Sequence, residues 1–427
     1  MAVAIRSCEL RYDARVKSNA RVVHRWLPWI FSASIVPATA FAQGAPAAPA
    51  APASDAKEPS APSTDAPAPG PASDTPPSVD APIAPVPDAA PKFTFEPFGF
   101  LRLQYRIVQN DPYVAFVGRD DGFELQNARI GVRGALGANV RYKLSIDGAV
   151  DERAQVNVPD GKLRVGMRDA YADVIVSGSI AVRAGYFETL VDPDLDEDTQ
   201  RELVDRPLES RGVRPTQGFQ TDGLPPGRSL GAALRMEPEQ PASGVKIGFE
   251  LAIQNGADEF ASDNDNDTPA ISASALARMP NRTYLVASAR WNRRTDGELP
   301  LQRDEDDFQG SAGARVALGP VAVGAGGIVQ RTQFPTTGGP VRNAFGAHAM
   351  VMVTVPGSLP IGLGYRFGIL DPSSLIVTDR VMEHSAGAVI AVPSLRLRVQ
   401  LQLTHAVEQG ERDLKNDRAQ LAAELSL

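Results

Sequence analysis

The chain has 427 residues, of which 43% are hydrophobic and 22% are charged, with a formal net charge of −8 and one cysteine. The hydrophobic fraction is too high for a wholly disordered protein, and the single cysteine, Cys8, excludes a disulfide scaffold. The acidic balance gives no basis for nucleic-acid binding, and no nucleic-acid partner is expected. Apart from one stretch near the N-terminus, no hydrophobic run approaches the roughly 20 residues of a membrane-spanning helix, whereas the alternating strands of a β-barrel remain compatible.

Residues 1–42 have the three-part organisation of a secretory signal peptide. A basic stretch precedes a hydrophobic stretch from Trp26 to about Ala40, and Ala40-Phe41-Ala42 is a small-residue cleavage site. We predict cleavage after Ala42 and export of the chain. A membrane anchor is the alternative, but Pro28 and Pro37 interrupt the segment, which is short for a span.

Residues 43–92 differ sharply from the rest, since they hold 14 of the 36 prolines and consist otherwise mainly of Ala, Ser and Asp. Such a composition lacks the apolar side chains needed to offset the entropy cost of folding, so we predict a disordered, extended linker. It would serve either as a plain spacer or as a tether to a periplasmic structure such as the cell wall.

Residues 93–427 alternate between apolar and polar side chains, as in β-strands with two different faces. In the first run, Arg102 and Arg106 stand between apolar residues at positions 101, 103, 105 and 107. The pattern predicts sixteen strands, near 98–108, 122–136, 139–150, 163–177, 179–187, 228–237, 243–254, 269–279, 281–294, 307–318, 320–332, 341–355, 359–370, 377–392, 394–407 and 416–427.

The connections between these strands are short turns rich in Gly, Asn, Pro and Ser, alternating with longer polar segments. This rhythm and an even number of strands are typical of outer-membrane barrels. We therefore predict an all-β fold, a transmembrane up-and-down antiparallel barrel of about sixteen strands over 93–427. A soluble β-sandwich with its apolar faces inward is the alternative, disfavoured by the arginines on the polar faces of long strands.

The alternation assigns a set of basic side chains to the barrel lumen, because their neighbours in sequence face lipid. A charged group on the lipid face costs about 2–4 kcal/mol at the midplane. Guanidinium groups lining a water-filled pore would favour anions. Alternatively, some of them pair with luminal acids such as Asp147, Asp169 and Asp173 and stiffen the wall. The set comprises Arg102, Arg106, Arg129, Arg133, Arg141, Lys143, Arg183, Arg396 and Arg398.

Seven runs of this segment share specific residues with a known family, namely Phe123 to Gly134, Tyr142-Lys143-Leu144, Arg168 to Asp173, Ala181 to Phe187, Val204-Asp205-Arg206, Pro226 to Gly231 and Gln254-Asn255-Gly256. They resemble the N-terminal half of the phosphate-selective porin O and P family. The resemblance covers about residues 122–256 and implies a trimeric, sixteen-stranded channel of the bacterial outer membrane that passes anions, surrounded by lipid and lipopolysaccharide. Residues 93–427 hold only four lysines, unlike the strongly basic pore linings that phosphate selectivity implies.

The longest connection, between Phe187 and Arg228, carries a run of acids followed by spaced arginines. Connections of this length in a compact domain are usually functional. The resemblance implies that this segment folds into the pore as a constriction loop, where acids facing bases would create a transverse field. We predict that Arg206, Arg211 and Arg214 face the pore. An exposed surface loop is the alternative.

No catalytic residue, cofactor or metal site is predicted. The histidines at 348, 384 and 405 lie on separate predicted strands without a motif for hydrolysis or metal binding, and the acidic run 263–267 lacks the Gly and Glu of a calcium loop. We expect a non-enzymatic porin for passive diffusion of small hydrophilic solutes, with anions such as phosphate favoured. The alternative is a structural barrel with a plugged lumen, tethered by residues 43–92.

Overall fold

The computed structural model describes residues 93–427, except 120, 149–164, 239, 257–263, 265, 297–301, 336–337 and 411–412. The predicted signal peptide (1–42) and the predicted linker (43–92) lie outside the described residues, and both stay predictions. No helix in the described part of the chain is long and apolar enough to cross a bilayer.

Sixteen strands and one helical turn, α1 (Leu208–Arg211), organise the described residues. All sixteen predicted strands are present, and most of their ends lie within a few residues of the predicted ones. The strands are β1 (Glu96–Val108), β2 (Gly122–Leu136), β3 (Val140–Asp147), β4 (Gly166–Ser177), β5 (Ile180–Glu188), β6 (Arg228–Met236), β7 (Lys246–Gln254), β8 (Ala270–Met279), β9 (Thr283–Asp296), β10 (Arg303–Leu318), β11 (Val321–Gln333), β12 (Arg342–Val355), β13 (Ile361–Asp371), β14 (Val381–Val392), β15 (Leu397–Glu408) and β16 (Arg418–Ser426).

The sheet closes on itself. Each strand pairs antiparallel with its neighbours in sequence, and β1 pairs with β16 in a register that places Arg102 opposite Glu424. Closure leaves no strand edge with unpaired backbone groups, which a bilayer would not tolerate. The predicted antiparallel barrel of sixteen strands is confirmed.

Side chains alternate between the outer and inner surfaces of the barrel. In β1, Leu101 is 47% exposed whereas the adjacent Arg102 is 1% exposed. In β15, Leu401 points outward while Gln400 and Gln402 are buried inside. The apolar face is therefore the outer one, the reverse of the arrangement in a soluble sandwich.

The two ends of the barrel differ in their connections. One end has short turns such as 178–179 and 319–320, and the other has long segments such as 109–121 and 189–227. We call these the turn end and the loop end. The difference agrees with the predicted rhythm of an outer-membrane barrel.

Two details of the prediction are wrong. The fifteenth strand begins at Leu397 rather than at 394, because Pro393–Leu395 form a 3-10 turn and Arg396 adopts a left-handed backbone conformation with φ of 50°. Arg396 therefore lies in an exposed turn and not on the luminal face of a strand. The tenth strand begins at Arg303 rather than at 307, so the acidic residues 304–307 are part of β10.

Candidate functional site: the inner loop and the basic wall

The connection between β5 and β6, residues 189–227, folds into the barrel, and we call it the inner loop. Its charged side chains Asp198, Arg206 and Glu209 are buried. The loop descends to the turn end, where Asp196 lies 2.8 Å from Arg282 in the β8–β9 turn. It then returns to the loop end, so the segment is not an exposed surface loop.

Glycines on the inner face of β10–β14 provide the seat of the inner loop. A side chain at Gly313 would collide with the carbonyl of Pro193, and one at Gly346 would collide with the side chain of Glu209. A glycine within a strand often marks such a close approach of another backbone. The glycine-rich character of these strands thus reflects the docking of the loop.

An apolar seam joins the inner loop to the same part of the wall. Burial of each large aliphatic side chain contributes about 1.5–3 kcal/mol, so the seam fixes the loop against the barrel and excludes water on this side. Its members are Val191, Leu208, Val213 and Leu224 of the loop and Ile328, Ala344, Leu370 and Val381 of the strands.

A buried ion-pair network anchors the returning half of the inner loop. Glu383 of β14 accepts hydrogen bonds from Arg211 of the loop and from Arg418 of β16, the latter at 2.8 Å. Arg418 also lies 3.1 Å from Asp205. Burial by itself would raise the pKa of Asp205, but Arg418 and Arg211 outweigh it and hold the pKa below its usual value.

Asp198 marks the tip of the inner loop at the turn end. Its carboxylate lies 2.6 Å from Arg129 of β2 and within 2.8 Å of Arg201 and Arg206 of the loop itself. Burial opposes ionisation here, but these guanidinium groups and Arg168 hold the pKa of Asp198 well below its usual range. Asp198 is therefore ionised at neutral pH and ties the tip to the wall.

Two adjoining cavities, of about 980 and 890 Å³, lie between the inner loop and strands β1–β9, with the end of β16 at their border. We call them together the vestibule. On the loop side they are lined by an acidic edge, consisting of Asp192, Asp194, Asp196, Glu197 and Asp198. On the strand side they are lined by a basic wall, consisting of Arg129, Arg133, Arg141, Lys143, Arg168, Arg183, Arg228 and Arg235.

The predicted luminal residues of the strands lie on the inner face, apart from Arg396, and most of them are ion-paired. The pairs are Arg102 with Glu424, Arg106 with Glu124 at 3.1 Å, Arg129 with Asp147 at 3.0 Å, Arg133 with Glu96 at 2.5 Å, Lys143 with Asp169 at 3.0 Å, and Arg183 with Asp173 at 2.7 Å. The pairing with luminal acids that the sequence left open is therefore present. Arg141 has no ion pair with any described residue.

The three predicted arginines of the inner loop are also inside the barrel and paired. Arg206 lies 2.8 Å from Asp198, and Arg214 lies 2.7 Å from Glu124 of β2. Arg211 bonds to Glu383, as described above. Of the three, Arg206 lines the vestibule, whereas the other two fasten the loop to the strands.

Some residues of the site were missed from the sequence. Arg235 of β6 lines the vestibule, and its position next to the outward-facing Leu234 is the same alternation signal that found the others. Arg168 is the residue skipped by a register shift between β3 and β4, and this irregularity breaks the strict alternation that would have revealed it. Within the described part of the chain, no group of three or more His, Cys, Asp or Glu side chains is arranged to hold a metal ion.

The strands form a closed antiparallel barrel with an apolar exterior and a charged interior, and a long loop folds into its lumen. By these features and its family match, the protein is a porin-type barrel of the bacterial outer membrane. Residues 100–273 match the model of the family described as phosphate-selective porin O and P, which confirms the resemblance seen in the sequence. A comparison with curated protein sequences gave no match.

Solved structures with the same fold include outer-membrane proteins. OmpT of Vibrio cholerae lacking loop L8, an outer membrane protein, is 10% identical with a TM-score of 0.54, over 79% of this chain and 100% of that one. The trimer form of OmpT folded in vitro is 11% identical with a TM-score of 0.52, over 79% of this chain and 100% of that one. An anion-selective porin from Comamonas acidovorans is 15% identical with a TM-score of 0.51, over 78% of this chain and 100% of that one.

Proposed function

We propose that the protein is a non-enzymatic porin for passive diffusion of small hydrophilic solutes, with anions, phosphate among them, as the favoured class. The observation that carries the proposal is the vestibule, in which the basic wall faces the acidic edge of the inner loop inside a closed barrel. In a water-filled passage, the charges of the lining decide which ions pass. Guanidinium groups are suited to oxyanions because they donate paired hydrogen bonds.

The pairing of charges limits how strong this preference is. A base bonded to a carboxylate presents a dipole to a passing ion rather than a full charge. Arg141 and Lys246 line the vestibule without an ion pair to a described residue, so their charges act on a solute in full. We propose that a passing anion meets Arg129, Arg133, Arg141, Lys143, Arg183 and Arg206. The inner loop is held in place by Arg102, Arg211, Arg214 and Arg398, each of which bonds across between loop and strands. Arg106 supports them by bonding to Glu124, the partner of Arg214.

A structural barrel with a plugged lumen is the second candidate. The observation in its favour is the tight docking of the inner loop, which the glycine seat and the apolar seam fix on one side of the lumen. On the other side, the ion pair of Asp198 with Arg129 joins the tip of the loop to β2.

We further propose that the protein forms a homotrimer surrounded by lipid and lipopolysaccharide. The continuous outward-facing apolar surface supports contact with lipid. The trimer form among the structural neighbours supports the oligomeric state. The mass of the detergent-solubilised protein, measured by light scattering after size exclusion, tests it, and a monomeric mass would contradict the trimer.

Planar-bilayer recording tests the proposed function directly. Purified, heat-modifiable protein is expected to give discrete ohmic steps, and its reversal potential in a KCl gradient is expected to have the sign of anion selectivity. Correctly folded protein that gives no steps would support the plugged barrel. A cation-selective reversal potential would contradict the anion preference while leaving the channel intact.

A further inference from the structure

Arg290 of β9 is a buried cation without a partner in the described structure. It points into the barrel and is 8% exposed, and its Nε is buried without a hydrogen bond. None of the described carboxylates lies within ion-pair distance of its guanidinium group. An unpaired charge is costly to bury, so a buried cation ordinarily has a counter-ion.

The side chains opposite Arg290 are small or neutral and offer hydrogen bonds. Ser272 of β8 and Gln309 of β10 are its directly opposed neighbours in the sheet, and both are buried. Directly opposed side chains have Cβ atoms about 4.5–5.5 Å apart. The guanidinium group is thus flanked by the Ser272 hydroxyl, which is a suitable donor to an anion together with an arginine. The Gln309 amide is not such a donor, because its Nε2 already donates to Leu224 and Gln330.

The inner loop passes on both sides of this position. Ser288, two residues before Arg290, donates a hydrogen bond to the carbonyl of Leu190, where the loop enters the barrel. Gln309 donates to the carbonyl of Leu224 at 2.8 Å, where the loop leaves it. Arg290 therefore lies between the two limbs of the loop, apart from the vestibule.

The surroundings towards the loop end are rich in guanidinium groups. Glu305 is fully buried and forms ion pairs with three arginines. They are Arg294 at 3.1 Å, Arg303 at 3.0 Å and Arg342 at 3.2 Å. Asp307 is a second buried carboxylate of this region and lies 3.4 Å from Arg294. Two carboxylates against four guanidinium groups, with Arg290 included, leave a positive local potential, which attracts anions and repels cations.

We propose that Arg290 binds one small inorganic anion, a halide or an oxyanion such as phosphate, between the two limbs of the inner loop. Its guanidinium group and the Ser272 hydroxyl are the protein's ligands. The bound anion neutralises the buried charge and joins the wall to the loop. This inference does not depend on transport, because it concerns a site outside the vestibule.

Crystals of the detergent-solubilised protein grown in bromide, and separately in phosphate, test the site. We expect an anomalous bromide peak or phosphate density at hydrogen-bond distance from the Arg290 guanidinium group. In R290M neither ion is expected there, whereas R331M, which changes an exposed outward-facing arginine on β11, is expected to keep the site.

Thermal unfolding at constant ionic strength gives a second readout in solution. Replacing a bulky organic anion such as gluconate by chloride or phosphate is expected to raise the Tm of the wild type and of R331M by several degrees, but not that of R290M. If R290M does not fold, R290K, which keeps the charge but loses the planar fork, should show a reduced shift. Equal shifts in all variants, or crystals with neither ion at Arg290, would overturn the proposal whether or not the protein conducts.

Discussion

Arg129 of β2 and Asp198 of the inner loop form an ion pair at 2.6 Å that fastens the tip of the loop to the basic wall. Replacing Asp198 by Asn leaves Arg129, Arg201 and Arg206 close together without their shared anion. Breaking a buried ion pair in this way costs about 3–5 kcal/mol. D198N is therefore expected to unfold at a lower temperature, as measured by the loss of heat-modifiable migration in detergent gels, and to show noisier single-channel currents.

Asp413→Asn is the matched control for this variant. Asp413 lies 3.7 Å from Lys415 in a pair that is more than half exposed, and such surface pairs contribute little. D413N should therefore behave as the wild type. Equal stability of D198N and the wild type would show that the tip is not held by this carboxylate.

Asp196 gives the acidic edge a dependence on pH. Burial and the charge of Asp194 raise the pKa of Asp196 to about 6, against the opposing effect of Arg315 and Arg282. The carboxyl group therefore loses its charge as the pH falls from 7.5 to 5, while Asp198 stays ionised. The reversal potential in a KCl gradient is expected to shift towards stronger anion selectivity at pH 5.

The same titration affects stability in a defined direction. Because the pKa of Asp196 is higher in the folded protein than the usual 3.8, the folded state binds this proton more tightly. The contribution of this group to stability is present below about pH 4 and is lost as the pH rises through 6. In D196N, the part of the change in reversal potential between pH 7.5 and 5 that Asp196 causes should disappear. An unchanged pH dependence in D196N would assign the change to another group.

Much of this fold could be predicted from the sequence because its signals are local. The alternation of apolar and polar residues in β1 and β15 depends only on the lipid outside and the water inside. It therefore predicted where the strands lie and which arginines point inward. The length and charge of the β5–β6 connection likewise indicated a loop inside the lumen.

The partners of the charged residues could not be predicted, because they depend on register and on the path of the loop. Arg102 meets Glu424, which is 322 positions away in sequence and is adjacent only because β1 closes on β16. Arg211 and Arg214 were expected to face the pore, yet the loop turns them towards Glu383 and Glu124 of the wall. Alternation assigns a side to each residue but does not show which charges remain unpaired.

The glycine seat gives a prediction about the docking of the loop. Gly346→Ala places a methyl group against Glu209 of α1, and such overpacking costs about 1–3 kcal/mol. Gly310→Ala is the matched control, because a Cβ at this outward-facing strand position meets only Val329 at 3.7 Å. G346A is expected to lower the unfolding temperature and to increase conductance by displacing the loop, whereas G310A should do neither. The reverse order would contradict the seat.

The lipid-facing surface can be tested with a single charge. Leu401 lies in the middle of β15 and points outward, so Leu401→Arg places a guanidinium group near the middle of the bilayer, at a cost of about 2–4 kcal/mol. The variant is expected to refold into lipid vesicles with a correspondingly lower free energy of unfolding, measured by denaturant titration. Leu401→Met keeps the surface apolar and should match the wild type. Equal stabilities of the two variants would place this face in water.

Arg141 lines the vestibule and has no ion pair with any described residue. Among the three variants compared below, its replacement by Glu should therefore change ion selectivity most. A unit charge acting through water at about 10 Å changes the energy of an ion by about 0.4 kcal/mol, or about twofold in its occupancy. Charge reversal doubles this energy and acts on anions and cations in opposite senses, so R141E should move the reversal potential in a KCl gradient clearly towards cation selectivity. Arg396→Glu makes the same change in an exposed turn that does not line the vestibule. R183Q changes the net charge of the lining by one unit, since it uncovers Asp173, whereas R141E changes it by two. Both controls should shift the potential less than R141E. A shift in R396E as large as that in R141E would show that charge at the turn end as a whole, and not the vestibule, selects the ion.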